Sequence, residues 1–433
     1  MTDKRTIFRN ARLSNGAEVD IAVVGNDVEA VGKKLDLTGE SIDCSGLIAL
    51  QGFVDLHTHL REPGFEQSET IYSGSRAAAK GGFTAVHAMA NTAPVADNAA
   101  VVEQVLALGQ EAGYVLVQPV GAVTTNLEGK QLADLLKMNK SRANVTVFSD
   151  DGKCVSDSLL MRRALEYVKA FNGVIAQHAQ DPNLTVDAQM NEGQLALELG
   201  LTGWPSVAEE AIIARDVLLA EHVGSRLHIC HVSTAGSVEI IRWAKARGIK
   251  VSAEVTPHHL LLTEELAREF NPLYKVNPPL RTSADVQALR SAVADGTIDI
   301  IATDHAPHTS DSKDCEWGQA AFGMVGLETA ASVAQSTLIQ TGIIDWVRFE
   351  QLLSTNPAQI SGLARHGKSI SAGNPANIAF INPEVQFKVS EVSESKSANN
   401  PYLGMELSGQ IVHTLFEGLL TVKDAKIQEK VNV

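Results

Sequence analysis

The chain has 433 residues, of which 44% are hydrophobic, and its formal net charge at pH 7 is −15. This length can bury a large core, and an acidic balance without any basic block argues against nucleic acid and anionic membranes as partners. The N-terminus is charged, and no apolar run approaches the roughly 20 residues that span a bilayer, so we expect a cytoplasmic protein with no membrane segment.

Four cysteines are scattered along the chain without any C-x-x-C spacing: Cys44, Cys154, Cys230 and Cys315. Closely spaced cysteine pairs are typical of zinc knuckles, and small secreted domains carry dense disulfide frames. This spacing therefore predicts reduced thiols.

Short strands joined by turns are predicted at both ends of the chain. Residues 6–8 and 19–24 are rich in β-formers, and Asn15-Gly16 between them is a hairpin signal. A similar pattern returns after residue 369, with runs at 377–381, 410–415 and 420–422. Because neither end has enough strands for a stable sheet, we predict that residues 1–48 and 366–433 form one small, discontinuous β-domain.

The middle of the chain, residues 49–365, alternates short β-branched runs with helical patterns rich in Ala, Leu and Glu. The eight β-branched runs lie at 48–56, 84–89, 114–120, 145–148, 174–177, 226–230, 250–255 and 298–303. This alternation predicts an α/β protein, a (β/α)8 TIM barrel, which typically needs about 250 residues plus insertions. A doubly wound open sheet is the alternative, but no G-x-G-x-x-G follows a strand.

Barrel enzymes place their chemistry at the C-terminal ends of the strands. Six possible metal ligands end or follow predicted strands: His57, His59, Asp151, His178, His231 and Asp304. A lone histidine is more often a hydrogen-bonded surface or core residue, but a chance origin does not explain six ligands at strand ends. His57 and His59 alternate along a strand and so face one side, and the whole set suits two divalent ions, with zinc favoured.

Several motifs lie at the same strand ends. They are D-L-H-T-H-L-R-E-P-G at 55–64, A-N-T-A-P-V at 90–95, S-D-D-G at 149–152, E-V-T-P-H-H at 254–259, V-N-P-P-L-R at 276–281 and T-D-H-A-P-H at 303–308. Together they resemble class I dihydroorotase of the amidohydrolase superfamily, across nearly the whole chain. An H-x-H pair alone indicates only the superfamily, whereas R-E-P-G, A-N-T and N-P-P-L-R point to this member.

The resemblance implies zinc-dependent, reversible hydrolysis of dihydroorotate to N-carbamoyl-L-aspartate, a step of de novo pyrimidine biosynthesis. It implies two zinc ions per subunit, bridged by Asp151 and a hydroxide. The remaining ligands divide between them, with His57, His59 and Asp304 on the first ion and His178 and His231 on the second. Asp304 would also be the catalytic residue, taking a proton from the hydroxide and passing it to the leaving ring nitrogen.

The resemblance also assigns the substrate-binding residues. Arg61 would bind the substrate carboxylate, because its planar guanidinium matches a carboxylate in a bidentate manner. Asn91 and His308 would complete this clamp, and Asn277 would hydrogen-bond the ring. Without the resemblance, both asparagines are equally well explained as turn residues beside a proline.

Two alternative functions remain open on the sequence. A hydantoinase, dihydropyrimidinase or allantoinase usually carries a carboxylated lysine where Asp151 stands, and Lys153 would be in reach if the strand continued through Gly152. A non-catalytic scaffold for aspartate transcarbamoylase usually loses metal ligands, and all six are present here. As partners we expect a small-molecule substrate and a second copy of the chain in a homodimer, with an association with aspartate transcarbamoylase left open.

Other polar features are interpreted as structural. His258 and His259 are adjacent, so on a strand they would face opposite ways and could not share an ion. His87 and His228 lie inside apolar runs. Residues 308–322 suit a mobile lid over the barrel mouth or, equally well, a plain surface loop.

Overall fold

Residues 4–429 are described by a computed structural model. The strands before residue 60 are β1 (Thr6–Leu13), β2 (Glu18–Val24), β3 (Asp27–Gly32), β4 (Glu40–Asp43), β5 (Ile48–Gln51) and β6 (Phe53–Thr58). The middle strands are β7 (Phe83–Ala88), β8 (Leu116–Pro119), β9 (Val147–Phe148), β10 (Val174–Gln177), β11 (Met190–Asn191), β12 (Gly203–Trp204), β13 (Arg226–Ile229), β14 (Val251–Val255) and β15 (Ile300–Ile301). The last strands are β16 (Ile378–Lys388), β17 (Glu406–Phe416), β18 (Leu419–Lys423) and β19 (Lys426–Ile427).

A nine-stranded sheet takes its strands from both ends of the chain. Its order is β19-β18-β17-β16-β5-β1-β2-β3, and β4 pairs with β1. β5 joins the two ends, because it runs parallel to β1 and antiparallel to β16. The sheet has its own core, in which Phe8 and Phe380 stack with ring centroids 4.9 Å apart. The terminal segments therefore share one hydrophobic interior.

The other main strands are all parallel. They form a three-stranded sheet, β6-β7-β8, and a five-stranded sheet, β9-β10-β13-β14-β15. Single parallel bridges link the two sheets, from Gly121 to Phe148 on one side and from Thr58 to His305 on the other. β6 and β7 are buried on both faces, as expected of parallel strands covered by helices. This burial explains why these strands appear in the sequence as apolar runs rather than alternating patterns.

The helices are α1 (Ile71–Lys80), α2 (Ala99–Ala112), α3 (Leu135–Lys140), α4 (Ser158–Lys169), α5 (Gln194–Leu199), α6 (Val207–Val223), α7 (Ala235–Ala246), α8 (Pro257–Leu261), α9 (Ser283–Asp295), α10 (Ser310–Lys313), α11 (Ala330–Ala334), α12 (Trp346–Glu350) and α13 (Asn356–Ser361). Local sequence fixes their ends: Thr70 and Thr282 form capping boxes at the starts of α1 and α9. Gly113 and Gly224 end α2 and α6 in the left-handed conformation that glycine adopts without strain.

The first predicted strand, 48–56, is divided in two. Gly52 separates β5, in the nine-stranded sheet, from β6, in the parallel set. A Cβ atom at Gly52 would lie 2.3 Å from Thr84 Cγ2, so only glycine allows the backbone to pass this close. The chain changes sheets at this residue, and an unbroken apolar run gives no sign of the change.

The fold is therefore a mixed α/β structure with a separate β-sheet. All four cysteines are unpaired, as predicted. Within residues 4–429, no helix combines the length and the apolar character needed to cross a membrane.

Candidate active site

Two histidines lie at the C-terminal end of β6. His57 belongs to the strand and His59 follows it, and their ring centroids are 5.4 Å apart. Both Nε2 atoms face one carboxylate: His57 Nε2 lies 3.3 Å from Asp151 Oδ1, and His59 Nε2 lies 3.3 Å from Asp151 Oδ2. The alternation of side chains along the strand thus directs both imidazoles to the same group.

Asp151 lies between two pairs of histidines. It follows β9 in a turn that continues through Gly152, whose φ is 82°. On the side away from His59, Asp151 Oδ1 is 3.2 Å from His178 Nδ1 and 3.4 Å from His231 Nε2. Burial alone would raise the pKa of Asp151, but the charge of His57 and hydrogen bonds from His178 and His231 hold that pKa well below its ordinary value. The group is an ionised carboxylate with an imidazole pair at each side.

Asp304 follows β15 and reaches the first pair. Its Oδ1 lies 3.1 Å from His59 Nε2 and 3.4 Å from His57 Nε2. Burial opposes ionisation, but the charge of His57 and the hydrogen bond with His59 lower the pKa of Asp304 to about 2. Asp304 and His231 have positive φ angles of 47° and 31°, a costly conformation for residues other than glycine that persists only where the surroundings impose it. Both residues lie at strand ends, and their side chains point toward the cluster.

The donor set fits divalent metal ions. Two groups each offer ligand atoms within 4.8 Å of one another: His57, His59 and Asp151, and then Asp151, His178 and His231. Their nitrogen-to-oxygen distances are 3.1 to 3.4 Å, close to the roughly 3.3–3.4 Å between two ligands of a tetrahedral zinc ion bonded at roughly 2.0–2.1 Å, whereas His178 Nδ1 and His231 Nε2 lie closer together, at 2.8 Å. His57 Nε2 is also buried without a hydrogen-bond partner. A nitrogen that faces two carboxylates in this way is placed to bind a shared cation.

Glu254, on β14, supports the cluster and was missing from the sequence prediction. Its Oε1 lies 2.6 Å from His57 Nδ1 and accepts the backbone N–H of His231 at 3.1 Å. Its Oε2 lies 2.9 Å from Nε2 of His228, a residue predicted to be structural. A carboxylate on the far nitrogen of a ligand histidine fixes its tautomer and ring orientation. The signals in the sequence were a charged residue inside an apolar strand and its place at the start of the E-V-T-P-H-H motif, neither of which assigned it a role.

Arg61 lies beside the cluster without a carboxylate partner. Its Nε donates to Pro307 O at 3.1 Å, and its Nη2 is 3.4 Å from His308 Nε2. Among residues 4–429 it forms no ion pair. Burial lowers the pKa of its guanidinium to about 10. A partly buried cation that forms no ion pair within the described part of the chain is a strong site for an anionic group, because the protein has already desolvated it.

Of the two asparagines predicted to bind substrate, Asn91 contacts a histidine of the cluster directly and Asn277 reaches one through Gln180. Asn91 Oδ1 lies 3.0 Å from His59 Nδ1. Asn277 Nδ2 donates to Gln180 Oε1 at 3.1 Å, and the same oxygen lies 2.8 Å from His178 Nε2. Asn277 Oδ1 is buried with no hydrogen-bond partner, so it can accept one further hydrogen bond.

Two other sequence interpretations are resolved by the geometry. Lys153 is exposed, whereas Asp151 is buried among the histidines, because the chain turns at Gly152 instead of continuing as a strand. His258 and His259 lie in helix α8, not on a strand, so the argument from strand alternation was wrong for them. Pro257 at the first turn and Thr256 as the N-cap are the helix signals that this argument overlooked.

Residues 308–322, predicted to be a lid or a surface loop, lie beside the cluster. The segment includes α10, whose Lys313 is buried and donates to Pro272 O, Lys275 O and Ala321 O. Lys275 in turn donates to Trp317 O at 2.6 Å. Two buried lysines therefore hold the segment against residues 272–275 through backbone carbonyls.

Comparisons with known proteins show the family to which this chain belongs. The family described as "Dihydro-orotase-like" matches residues 46–237. Proteins named dihydroorotase from Leifsonia xyli and Streptomyces coelicolor are each 61% identical to this chain, covering 100% and 98% of it and 99% of each relative. Among solved structures, L-hydantoinase (dihydropyrimidinase) from Arthrobacter aurescens has a TM-score of 0.88 at 24% identity, with 99% of this chain and 98% of that chain covered. The full-length identity shows that the chain belongs to the dihydroorotase family.

Proposed function

We propose that this chain is a dihydroorotase, which hydrolyses dihydroorotate reversibly to N-carbamoyl-L-aspartate in de novo pyrimidine biosynthesis. The observation that carries the proposal is the unpaired guanidinium of Arg61 beside a cluster of metal-binding side chains. The substrate contains both groups that such a site needs, a cyclic amide for hydrolysis and a carboxylate for Arg61. The relatives named dihydroorotase at 61% identity support the same substrate.

The architecture we propose for this enzyme is a (β/α)8 barrel of residues 49–365 with a small β-domain of residues 1–48 and 366–433. The bridges between residues 121 and 148 and between residues 58 and 305 support closure of the eight parallel strands. The candidate ligands lie at or just after the C-terminal ends of β6, β9, β10, β13 and β15, where barrel enzymes place their chemistry.

Two zinc ions are the proposed cofactors. His57, His59 and Asp304 would hold the first, His178 and His231 the second, and Asp151, whose carboxylate lies between the two histidine pairs, would bridge the two. When bound, the ions supply an activated water and polarise the amide carbonyl. The protein contributes a dry, prepositioned donor set, since all six side chains are buried.

Asp304 has the position of a proton carrier. Its carboxylate contacts His59 at the edge of the cluster and is ionised, with a pKa of about 2 because His57 and His59 outweigh the effect of burial. An ionised carboxylate can accept a proton from the attacking water and donate it to the ring nitrogen that leaves.

Arg61 and its neighbours would orient the substrate. Arg61 and His308 would bind the carboxylate, with Asn91 completing the clamp next to His59. Asn277 Oδ1, which lacks a partner, would accept a hydrogen bond from a ring N–H. Fixing the ring at two sides holds the amide carbon near the metal-binding residues, which lowers the entropic cost of reaction.

We further propose a cytoplasmic enzyme whose partner is a small-molecule substrate, assembled as a homodimer. An association with aspartate transcarbamoylase is a separate part of the proposal, which size-exclusion chromatography with and without that enzyme would test. The acidic net charge of −15 supports the absence of nucleic acid as a partner.

Metal removal tests the cofactor proposal. Dialysis against a chelator should abolish the hydrolysis of dihydroorotate, and two equivalents of Zn²⁺ per chain should restore it. Activity that survives in protein shown by elemental analysis to be metal-free would contradict the proposal.

Arg61→Met should lower kcat/KM for dihydroorotate by about 10- to 100-fold, mostly through KM. The reason is that the substrate carboxylate loses a charge-assisted partner worth roughly 1.5–3 kcal/mol. Arg61→Lys, which keeps the charge but not the planar fork, should have an intermediate KM. Bound zinc should stay constant in both variants. Normal kinetics in Arg61→Met would show that another group binds the carboxylate.

Glu254→Gln should weaken zinc binding by about 10- to 100-fold, because His57 loses the carboxylate that orients its ring. Competition with a chromophoric chelator measures this affinity directly. Glu350→Gln is the matched control, since Glu350 accepts a hydrogen bond from Gln51 N at 2.8 Å at the junction with the nine-stranded sheet. Equal zinc affinities in the two variants would exclude an orienting role for Glu254.

A further inference from the structure

The connection between β16 and β17, residues 389–405, leaves the nine-stranded sheet and reaches the candidate active site. Ser395 Oγ donates to Glu69, and Ser397 Oγ donates to Ser68 O at 2.6 Å. Glu69 Oε2 also lies 3.3 Å from Nε2 of His305, the residue after Asp304. The connection is therefore attached to the same strand end that carries the proposed proton carrier.

Asn399, within this connection, closes the loop that spans residues 306–325. Its Nδ2 donates to Ala306 O at 2.9 Å and to Gly323 O at 3.2 Å. Its Oδ1 accepts the backbone N–H of His308 at 3.1 Å, and its backbone carbonyl accepts Val325 N at 3.1 Å. One side chain, only 2% exposed, thus satisfies backbone groups at both ends of the loop.

The backbone that Asn399 holds is the backbone that contacts Arg61. Arg61 Nε donates to Pro307 O, which lies between the two loop-start residues bound by Asn399. His308 Nε2 lies 3.4 Å from Arg61 Nη2 and 2.8 Å from Phe322 O. The orientation of the guanidinium therefore depends on a loop whose two ends are joined by the Asn399 amide, in addition to the backbone hydrogen bond from Ala306 N to Met324 O at 2.8 Å.

We propose that Asn399 is a positioning residue for substrate binding: it fixes Pro307 and His308 so that Arg61 presents its free face to the substrate carboxylate. This inference rests on the proposed function, because it takes Arg61 and His308 to be the carboxylate clamp. It gives the β16–β17 connection a part in the reaction, although the connection belongs by sequence to the segment predicted as a separate β-domain.

An asparagine is suited to this role for a chemical reason. The site offers two carbonyl acceptors and one N–H donor, and only a primary amide supplies two donors and one acceptor in that space. Asn399→Asp keeps the shape but directs a carboxylate at two carbonyl oxygens, and Asn399→Ala leaves three buried backbone groups unpaired. Both substitutions should release the loop ends.

The matched control is Asn377. It is also buried, donates to Arg365 O at 3.1 Å and accepts Glu417 N at 2.8 Å, so it ties backbone segments in a similar way. Asn377 lies beside the nine-stranded sheet, where Gly52 N donates to its carbonyl. Asn377→Ala should lower the midpoint of denaturant unfolding but leave KM within about 2-fold of wild type.

The experiment compares steady-state kinetics of zinc-loaded Asn399→Ala and Asn377→Ala. We expect KM for dihydroorotate to rise about 10-fold or more in Asn399→Ala, with a smaller change in kcat and unchanged zinc content. In the Arg61→Met background, Asn399→Ala should raise KM much less, because the group it positions is absent. If Asn399 had a purely structural role, Asn399→Ala would lose stability as Asn377→Ala does and would show no such coupling with Arg61→Met. That result would overturn the inference.

Hydrogen exchange provides a readout that does not need turnover. The amide of His308, whose acceptor is the Asn399 side chain, should exchange faster in Asn399→Ala than in Asn377→Ala, and equal rates would overturn the inference. Inactivity of the wild-type chain on dihydroorotate would refute the proposed function instead. An active wild type with an unchanged KM in Asn399→Ala would refute only the role of Asn399.

Discussion

Asp304→Asn should lower kcat for dihydroorotate hydrolysis by about 10²- to 10⁴-fold, the range typical of general acid–base catalysis. Asparagine has nearly the same shape and keeps an oxygen near His59 and His57, where Asp304 Oδ1 now lies at 3.1 and 3.4 Å. It cannot accept and return a proton at neutral pH. The loss should therefore appear in kcat and kcat/KM alike, which marks an interaction made in the transition state.

The comparison needs protein of known metal content and a control for buried charge. Asp216→Asn serves as the control, because Asp216 is fully buried but pairs with Gln177 and Arg215 away from the cluster. The kcat of Asp216→Asn should stay within about 3-fold of wild type. Near-normal turnover by Asp304→Asn with two zinc ions bound would assign the proton transfer to another group.

Asp151→Ala should lose the zinc ion held by His178 and His231, and with it essentially all activity. That ion would keep only two protein ligands, whereas the first would keep His57, His59 and Asp304. Because zinc sites in proteins normally use at least three protein ligands, the second ion should be lost preferentially. Elemental analysis after gel filtration should find about one zinc per chain.

Lys153→Ala is the matched control for the bridge, since Lys153 is exposed and only two residues away. It should retain both metals and most of the activity, and activity should not depend on added bicarbonate. Loss of metal from Lys153→Ala together with its retention in Asp151→Ala would overturn the assignment. It would also move the protein toward hydrolases bridged by a carboxylated lysine.

The positions of the candidate ligands at strand ends could be predicted from sequence because parallel strands are buried on both faces and appear as short apolar runs. A polar side chain at the end of such a run is conspicuous, and His178 follows β10 directly, at the boundary that the pattern predicts. The contacts of Asp151 with four histidines arise only when the C-terminal ends of β6, β9, β10 and β13 converge. The residues were thus visible in the sequence, but their distances were not.

Two kinds of feature could not be predicted from sequence: a change from one sheet to another, and a contact between residues that are distant in sequence. Gly52 ends β5 within an unbroken apolar run, and only the close approach of Thr84 explains the break. Glu254 looked like an isolated charge in a strand, because the partners of its carboxylate, His57 and His231, are distant in sequence. Asn399 is about 90 residues from the loop it closes, and no periodic pattern links them.

The most direct test of the central claim is a substrate panel with the purified, zinc-loaded chain. Hydrolysis of dihydroorotate, hydantoin, dihydrouracil and allantoin would be followed under identical conditions by ultraviolet absorbance or chromatography. The guanidinium of Arg61, which forms no ion pair within residues 4–429, predicts kcat/KM at least about 10-fold higher for dihydroorotate, the ring that carries a carboxylate. Equal or faster hydrolysis of a ring without that carboxylate would contradict the assignment of this chain as a dihydroorotase.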